Sequence, residues 1–409
     1  MPRYGLIGKT LAHSYSKEIH EALGKDPYEL LPMPQEAVEP FLAAREFDGI
    51  NVTIPYKKTV MPFLDEISEP ARKIGSVNTI VHRADGTLFG DNTDYEGFLY
   101  IADRAGIDFC DKAVVILGTG GTSQTAQAAV QDRGAKEIIV VSRAGAVNYD
   151  TPEAFCHAEI LINTTPVGMY PNCGVSPVDL SRFDRLQAVI DVIYNPSRTA
   201  LLLDAEQRGI TAAGGLPMLV MQAAIARNRF CGEPVQTEKV EELILQIARQ
   251  KENIVLVGMP GCGKTTVGKK LAALLNREFV DIDLAIEQTF GKKPSELIER
   301  EGEPLFRAKE TDVLDKICKQ SGLVISTGGG AVLKAENRRL LRQNSSVVFL
   351  TRPIEQLATR GRPLSKGGAA LQELYTTRLP LYRAAADLEI ANTQVPAETA
   401  QLIRKELKL

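Results

Sequence analysis

The stretch Asn253-Ile254-Val255-Leu256-Val257 runs straight into Gly258-Met259-Pro260-Gly261-Cys262-Gly263-Lys264-Thr265. After Asn253 the first run is apolar and mostly β-branched, as in a strand buried on both faces. The eight residues that follow fit G-x-x-x-x-G-K-[ST]. Glycines in such a loop let backbone N–H groups turn inward on phosphate oxygens. Lys264 places a cation on the β/γ phosphates, and Thr265 offers a hydroxyl to a Mg²⁺ shell. Val267, Leu271, Leu274 and Leu275 follow at helical spacing, which predicts a helix whose N-terminus faces the phosphates. The plain alternative, a glycine turn with an exposed lysine, leaves the strand before it and the helix after it unexplained.

Downstream, the strand candidate Glu278 to Asp281 ends in Asp281-Ile282-Asp283. If the strand continues, the two carboxylates point to opposite faces and take different work. One holds Mg²⁺ through water; the other orients an acceptor hydroxyl and takes its proton. The alternative is an acidic strand end that caps a helix. Then come Phe306-Arg307 with Glu310, Ser326-Thr327-Gly328-Gly329-Gly330-Ala331-Val332, Arg360-Gly361-Arg362-Pro363-Leu364 and Arg378-Leu379-Pro380-Leu381-Tyr382-Arg383. Arginines beside a glycine turn suit a small carboxylate, because guanidinium grips it bidentately and backbone N–H groups assist. Any single one of these arginines reads as a solvated surface charge; the combination carries the reading.

Upstream, Val240, Leu243, Ile244 and Ile247 have helical apolar spacing, and the charged residues Arg249 to Glu252 separate them from the strand. No Gly/Ser- or Pro-rich tether lies there, so the junction at 249–253 is short. A second glycine turn occurs earlier. Ala113-Val114-Val115-Ile116-Leu117 is a buried-strand run, followed by Gly118-Thr119-Gly120-Gly121, a helical stretch Thr122 to Arg133, and the strand Glu137-Ile138-Ile139-Val140-Val141. Strand, glycine turn, helix, strand is the start of a dinucleotide-binding unit. The turn lacks the third glycine of G-x-G-x-x-G, so alone it also fits an ordinary strand-to-helix connection. Where an acid would receive a ribose 2′-hydroxyl stand Ser142-Arg143. A cation at that point suits a 2′-phosphate, so NADP(H) is the expected cofactor.

The first hundred residues hold candidate chemistry. Asn51-Val52-Thr53-Ile54 reads as a strand stopped by Pro55, with Tyr56-Lys57 just beyond. Gly90-Asp91-Asn92-Thr93-Asp94 is a polar cluster after Leu88-Phe89. Ketone reduction needs a proton donor at oxygen while hydride reaches carbon, and a lysine beside a carboxylate suits that role. Spacing does not by itself bring Lys57 to Asp94; taken alone, Lys57 reads as a surface lysine.

The length, 409 residues, corresponds to two or three domains of about 150 residues each. With 48 Lys+Arg against 51 Asp+Glu the net charge is −3, which argues against a chain that holds nucleic acid by backbone charge. No apolar run approaches the roughly 20 residues of a membrane span, and Met1 to Gly8 lacks a secretory h-region. Cys110, Cys156, Cys173, Cys231, Cys262 and Cys318 are scattered, with no C-x-x-C. They indicate neither a disulfide framework nor a zinc site, and the expected compartment is a reducing cytoplasm.

From about 253 to 395 the phosphate loop, D-I-D, F-R-x-x-E, T-G-G-G-A-V, R-P-L and R-L-P-L-Y-R stand in the order found in shikimate kinases, and the block resembles that family. The resemblance implies an α/β P-loop domain, 254–409, with a small parallel sheet akin to nucleoside monophosphate kinases. It implies ATP and Mg²⁺ as cofactors. Gly258, Gly261, Cys262, Gly263, Lys264, Thr265 and Thr266 would hold the nucleotide, with Thr265 and Asp281 at the metal. Asp283, Arg307, Gly329, Gly330 and Arg378 would hold shikimate, and Arg362 would lie on a mobile lid. Lys264, Asp283 and Arg362 are the implied catalytic residues.

From about 3 to 248, His13-Ser14-Tyr15-Ser16, N-V-T-I-P-Y-K, Ser76-Val77-Asn78-Thr79, G-D-N-T-D, Asn163-Thr164-Thr165-Pro166-Val167-Gly168-Met169 and Gly214-Gly215-Leu216-Pro217-Met218-Leu219-Val220-Met221-Gln222 resemble shikimate dehydrogenases. That likeness implies a two-lobed α/β enzyme: a mixed-sheet substrate lobe, 1–100, completed by 215–248, and a Rossmann-like NADP lobe, 101–214. Ser14 and Ser16 would hold the substrate carboxylate. Thr53, Asn78 and Gln222 would address its hydroxyls, Tyr194 would stand on the substrate side, and Lys57 and Asp94 would be the catalytic pair, Asp94 also touching substrate. Gly118, Gly120, Gly121, Ser142 and Arg143 would carry the cofactor. Two departures stand out: Lys17 follows Ser16 where the family often has Pro, and the stretch Ala144 to Tyr149 is short.

The two families catalyse consecutive steps. The expectation is therefore a bifunctional enzyme: NADPH-dependent reduction of 3-dehydroshikimate to shikimate, then ATP-dependent phosphorylation to shikimate 3-phosphate. One alternative replaces shikimate by quinate. Another is a ligand-sensing regulator built from inactive copies; it would be free to lose Lys57, Asp94, Lys264 or Asp283, and all four are present. Small molecules are the expected partners, with neither nucleic acid nor membrane, and the oligomeric state stays open.

Overall fold

The structure is a computed structural model that describes residues 3–11, 14–24, 26–357, 368–392 and 395–409, without the side chains of 368–370. The chain forms two compact units. One comprises Met1–Gly168, Val175–Tyr194 and Asp204–Gln246; the other comprises Met169–Gly174, Asn195–Leu203 and Ile247–Leu409.

The first unit holds two sheets. In one, the strands lie in the order Tyr28–Pro32, Tyr4–Gly8, Gly49–Val52, Thr79–His82, Leu88–Asp91, Glu66–Ile67. It is mixed: Thr79–His82 runs antiparallel to both neighbours, and the other pairs are parallel. The strand expected to reach Ile54 ends at Val52. Thr53 still donates its N–H to Ile7 O, but Pro55 has no N–H to extend a ladder, and Ile54 is left 77% exposed.

The second sheet orders Thr211–Ala213, Ala188–Asp191, Ile160–Asn163, Ala113–Leu117, Glu137–Val141, all parallel. The apolar runs that predicted these strands are buried: Val114 to Leu117, Ile160 to Ile162 and Ala188 to Ile190. Numbered along the chain, the order is 2-1-3-4-5, a doubly wound sheet. Its direction of winding reverses between Ala113–Leu117 and Ile160–Asn163, so a ligand crevice belongs at the carboxyl ends of those two strands.

The other unit has one sheet, ordered Phe279–Asp281, Val324–Ser326, Asn253–Val257, Ser345–Thr351, Leu388–Ala391 and parallel throughout. The phosphate-loop strand is central. Ile254, Val255, Leu256 and Val257 pack with Val267, Leu271, Phe349 and Ile403 in the core. Truncating Leu256 to Ala would cost roughly 2–5 kcal/mol. The helix after the loop spans Lys264–Leu275 and turns Val267, Gly268, Leu271 and Ala272 inward. Asn276, in the left-handed region, ends it.

Candidate active sites

In the mixed sheet, Asn51 pairs with Thr79 and Thr79 with Asp91. One edge therefore collects the end of one strand, the start of the next and the end of a third. Residues a few positions beyond each meet there. Lys57 carries its ammonium 2.5 Å from Asp94 Oδ2, across 37 residues of sequence. Val77 N–H donates to Lys57 O, and Val52 N–H donates to Asn78 O, which anchors the lysine segment to the sheet. Asn78 is buried; its Oδ1 accepts from Thr93 N and Thr79 Oγ1, and its Nδ2 donates to Thr93 Oγ1. Among the described residues one amide N–H of Asn78 stays without a partner and is left for a ligand.

Ser14 and Ser16 flank the start of the helix Ser16–Leu23, with Ser16 N–H donating to Ser14 Oγ. The Tyr15 ring between them lies 5.3 Å from that of Tyr194, and burial pushes both phenols above their usual pKa. Thr53 sits by Gly8, where an added Cβ would come within 2.6 Å of its methyl. Gln222 lies on the helix Leu216–Cys231 and donates to Leu219 O within that helix.

The crevice of the doubly wound sheet is built by Gly118 and Thr164, each just past a strand end; Thr164 Oγ1 donates to Leu117 O. The helix Gly121–Asp132 starts there, and among the described residues a Cβ at Gly120 or Gly121 would meet no atom within 4 Å beyond its chain neighbours. That open helix N-terminus fits a dinucleotide pyrophosphate. Ser142 follows the strand Glu137–Val141 and donates its N–H to Val147 O. Arg143 is exposed and makes no ion pair among the described residues.

In the other unit, Leu256, Ser326 and Asp281 stand in one row across neighbouring strands. The phosphate loop leaves the carboxyl edge of that row. Gly258, Gly261 and Gly263 all have positive φ, which an L side chain would strain. Lys264 is buried and donates to Gly258 O at 2.8 Å and Met259 O at 3.0 Å. Cys262 is buried in the loop, and Thr266 is exposed one position past Thr265. Thr265 Oγ1 donates to Asp281 Oδ2 at 2.8 Å. The strand ends at Asp281, and Asp283 lies in the first turn of the helix Ile282–Phe290, so the alternation expected of a continuing strand does not arise. Asp281 takes two roles at once: Oδ2 receives Thr265 while Oδ1 caps the helix by accepting Asp283 N–H.

Beside the loop opens a cavity of about 340 Å³ whose wall includes Asp283, Arg307, Glu310, Gly329, Gly330 and Arg378. Arg307 donates to Glu310 Oε2 and Glu303 Oε1. Burial pushes the Glu310 carboxyl up against the pull of Arg307, and among the described residues its Oε1 has no hydrogen-bond partner. Arg378 Nη1 and the Tyr382 hydroxyl both donate to Gly329 O. Glycine leaves the guanidinium its place here: a Cβ at Gly330 would stand 2.2 Å from Arg307 Nη2 and would force it to shift.

The structure thus brings Lys57, Asn78 and Asp94 to one sheet edge, and Asp283, Arg307, Gly329, Gly330 and Arg378 to one cavity. His13, Arg360 and Arg362 lie outside the described residues. Tyr15, Glu310 and Ser326 join the sites without having been singled out as ligands. Tyr15 and Glu310 sit inside motifs quoted for their neighbours. Ser326, 3.4 Å from Thr265 Oγ1, shows only through strand pairing.

The first unit has the fold of a dinucleotide-binding oxidoreductase, and the second that of a phosphate-loop kinase. Comparison with known proteins narrows both. Residues 6–80 match the family described as shikimate dehydrogenase substrate binding domain, and residues 260–408 match shikimate kinase. A shikimate dehydrogenase (NADP(+)) of Clostridium beijerinckii is 38% identical over 247 residues, covering 56% of this chain and 91% of that protein. Among solved structures, a chorismate mutase/shikimate 5-dehydrogenase fusion protein from Clostridium acetobutylicum superposes with a TM-score of 0.58 at 36% identity, over 60% of this chain and 97% of that one. The shikimate 5-dehydrogenase of Thermus thermophilus, solved with NADP(H) and shikimate, gives 0.54 at 32%, over 60% and 99%. The chain belongs to the shikimate dehydrogenase family, and its carboxyl-terminal part is a shikimate kinase domain.

Proposed function

We propose that the chain is a bifunctional enzyme that reduces 3-dehydroshikimate to shikimate with NADPH and phosphorylates shikimate with ATP. The observation that carries the reading is the Lys57–Asp94 contact, formed only because three strands end or start at one sheet edge. Bound NADPH supplies the hydride. Lys57 donates the proton to the ketone oxygen, and Asp94 holds the ammonium in line. Ser14 and Ser16 orient the carboxylate, Thr53, Asn78 and Gln222 the hydroxyls, and Tyr194 with Tyr15 closes one side. Gly118, Gly120 and Gly121 leave room for the pyrophosphate, and Ser142 and Arg143 receive the 2′-phosphate.

In the kinase, ATP would supply the phosphoryl group, and bound Mg²⁺ would supply positive charge against its oxygens. Gly258, Gly261, Cys262, Gly263, Lys264 and Thr266 would cradle the phosphates, and Thr265 and Asp281 would hold the metal. The donor set fits: two oxygen ligands suit a hard cation that keeps its other positions for water and phosphate. Among the described residues no cluster of three or more His, Cys, Asp or Glu could hold a metal without such help. Asp283 orients the acceptor hydroxyl and takes its proton, Arg307 and Arg378 grip the carboxylate, and Arg362, outside the described residues, is read as a further cation for the nucleotide. All six cysteines are free, which suits a reducing cytoplasm.

The test is a coupled assay with 3-dehydroshikimate, NADPH, ATP and Mg²⁺ on the parent, Lys57→Ala and Lys264→Ala. Lys57→Ala should lose reduction by roughly 10²–10⁴-fold and keep phosphorylation; Lys264→Ala should do the reverse. A single substitution that abolishes both, or neither, refutes the assignment. Quinate runs beside shikimate in the reverse direction, because a quinate dehydrogenase from Corynebacterium glutamicum shares the fold at 28% identity.

A further inference from the structure

The reduction site leaves one buried carboxylate unused. Asp91 closes the strand Leu88–Asp91, three residues before Asp94, and is 4% exposed. Its Oδ1 accepts from Ser68 Oγ at 2.5 Å and from Asn92 N at 2.8 Å. Its main-chain oxygen accepts from Asn78 N–H. A buried anion so fixed needs a cation, and Arg229 supplies it, with Nε 2.8 Å from Asp91 Oδ2. Arg229 also donates from Nη2 to Glu96 Oε2 and from Nη1 to Asn228 Oδ1.

Arg229 belongs to the helix that carries Gln222. Seven residues, about two turns, separate them, so they share one face roughly 10 Å apart along the axis. At the Gln222 end the same helix rests on Gly97 of the helix Asp94–Ala105. A Cβ there would lie 2.9 Å from Met218 O and 3.1 Å from Gln222 Cβ. Contact at Gly97 fixes how closely the helices approach. The far end of the helix is held along its axis by Arg229 on Asp91, by Arg227 on Asp26 and by Phe230 stacked on Tyr4, and of these the Asp91 pair is the one that ties it to the strand leading to Asp94.

We propose that Arg229 is a positioning residue for the reduction: by bolting its helix to Asp91 it sets the height at which Gln222 faces the Lys57–Asp94 pair. The proposal rests on the reading of Gln222 as a substrate contact.

The test uses the full chain, with phosphorylation measured on every sample as a check that the protein is intact. KM and kcat for 3-dehydroshikimate reduction are compared in the parent, Gln222→Ala, Arg229→Met and the double variant. Gln222→Ala should raise KM roughly tenfold, the worth of one good hydrogen bond. Arg229→Met should raise KM by a similar factor with kcat nearly unchanged, and the double variant should match Gln222→Ala alone. Arg229→Met strands a buried anion, so Asp91→Asn/Arg229→Met removes both charges and should give the same KM. Arg229→Lys, which keeps the cation, should restore most of the parent value. An unchanged KM in both Arg229→Met and the charge-free pair overturns the proposal. So does a double variant in which the two factors multiply. If Gln222→Ala leaves KM unchanged, the reading of Gln222 fails and takes this route with it.

Discussion

His20 makes the dehydrogenase unit sensitive to acid, and the size of the effect follows from its surroundings. The ring lies in the helix Ser16–Leu23, stacked on Tyr28 at 4.1 Å between centroids and 4° between planes. Burial, reinforced by the Arg227 cation and only partly opposed by Asn51, lowers its pKa to about 3. An unfolded chain takes up that proton near pH 6.5, while the folded chain stays neutral until about pH 3. The unfolded state therefore binds more protons throughout this window, and stability falls as pH drops. The loss should be about 2 kcal/mol between pH 8 and pH 5, and about 5 kcal/mol once pH 3 is passed. His20→Phe keeps a stacked ring and removes the titration. Urea unfolding of both proteins at pH 8, 6 and 5, followed by circular dichroism, should show the parent losing about 2 kcal/mol more than the variant. The chain has only four histidines, so the His20 ring protons can also be followed by NMR. Parallel pH slopes in the two proteins, or a His20 ring that titrates near pH 6.5, would refute the reasoning. Because the same helix begins at Ser16, acid should also weaken the hold on the substrate carboxylate.

Three further outcomes are expected. Gly330→Ala drives a methyl into Arg307, so KM for shikimate phosphorylation should rise roughly tenfold or more in steady-state assays, with reduction unchanged. Arg143→Ser removes one charge-assisted contact, so the preference for NADPH over NADH should fall about 10–100-fold in the ratio of kcat/KM values. Thr265→Val deletes the hydroxyl beside Asp281, and a Mg²⁺ titration of phosphorylation should show half-saturation raised roughly tenfold or more.

The legible parts of this chain are those with local causes. Apolar runs predicted the buried parallel strands, because a strand covered on both faces has no polar side to display. The loop at 258–265 was legible because its chemistry is contiguous. The Lys57–Asp94 contact was legible only through the family resemblance, not from spacing: it depends on the antiparallel strand Thr79–His82 lying between two others, a register that neither segment carries. Asp281 escaped the either-or reading because one carboxylate has two oxygens, and a cap consumes only one. Arg229 gave no signal, since its partner is a carboxylate 138 residues away and an arginine near a helix end reads as solvated. Tyr15 and Glu310 were visible as letters but not as neighbours of Tyr194 and of the cavity.

Gly329 sets more than the floor of the ring-acid cavity. Pro260, from the phosphate loop, sits so close that a Cβ at Gly329 would lie 2.6 Å from its ring carbons. The strip that carries the acceptor and the strip that carries the donor thus rest directly on each other, backbone to pyrrolidine. Their contact acts as a gauge for the gap a phosphoryl group must cross. A bulkier residue at this point would be a shim that lengthens the jump, and because Gly329 also lines the cavity the penalty would fall on turnover and on saturation alike.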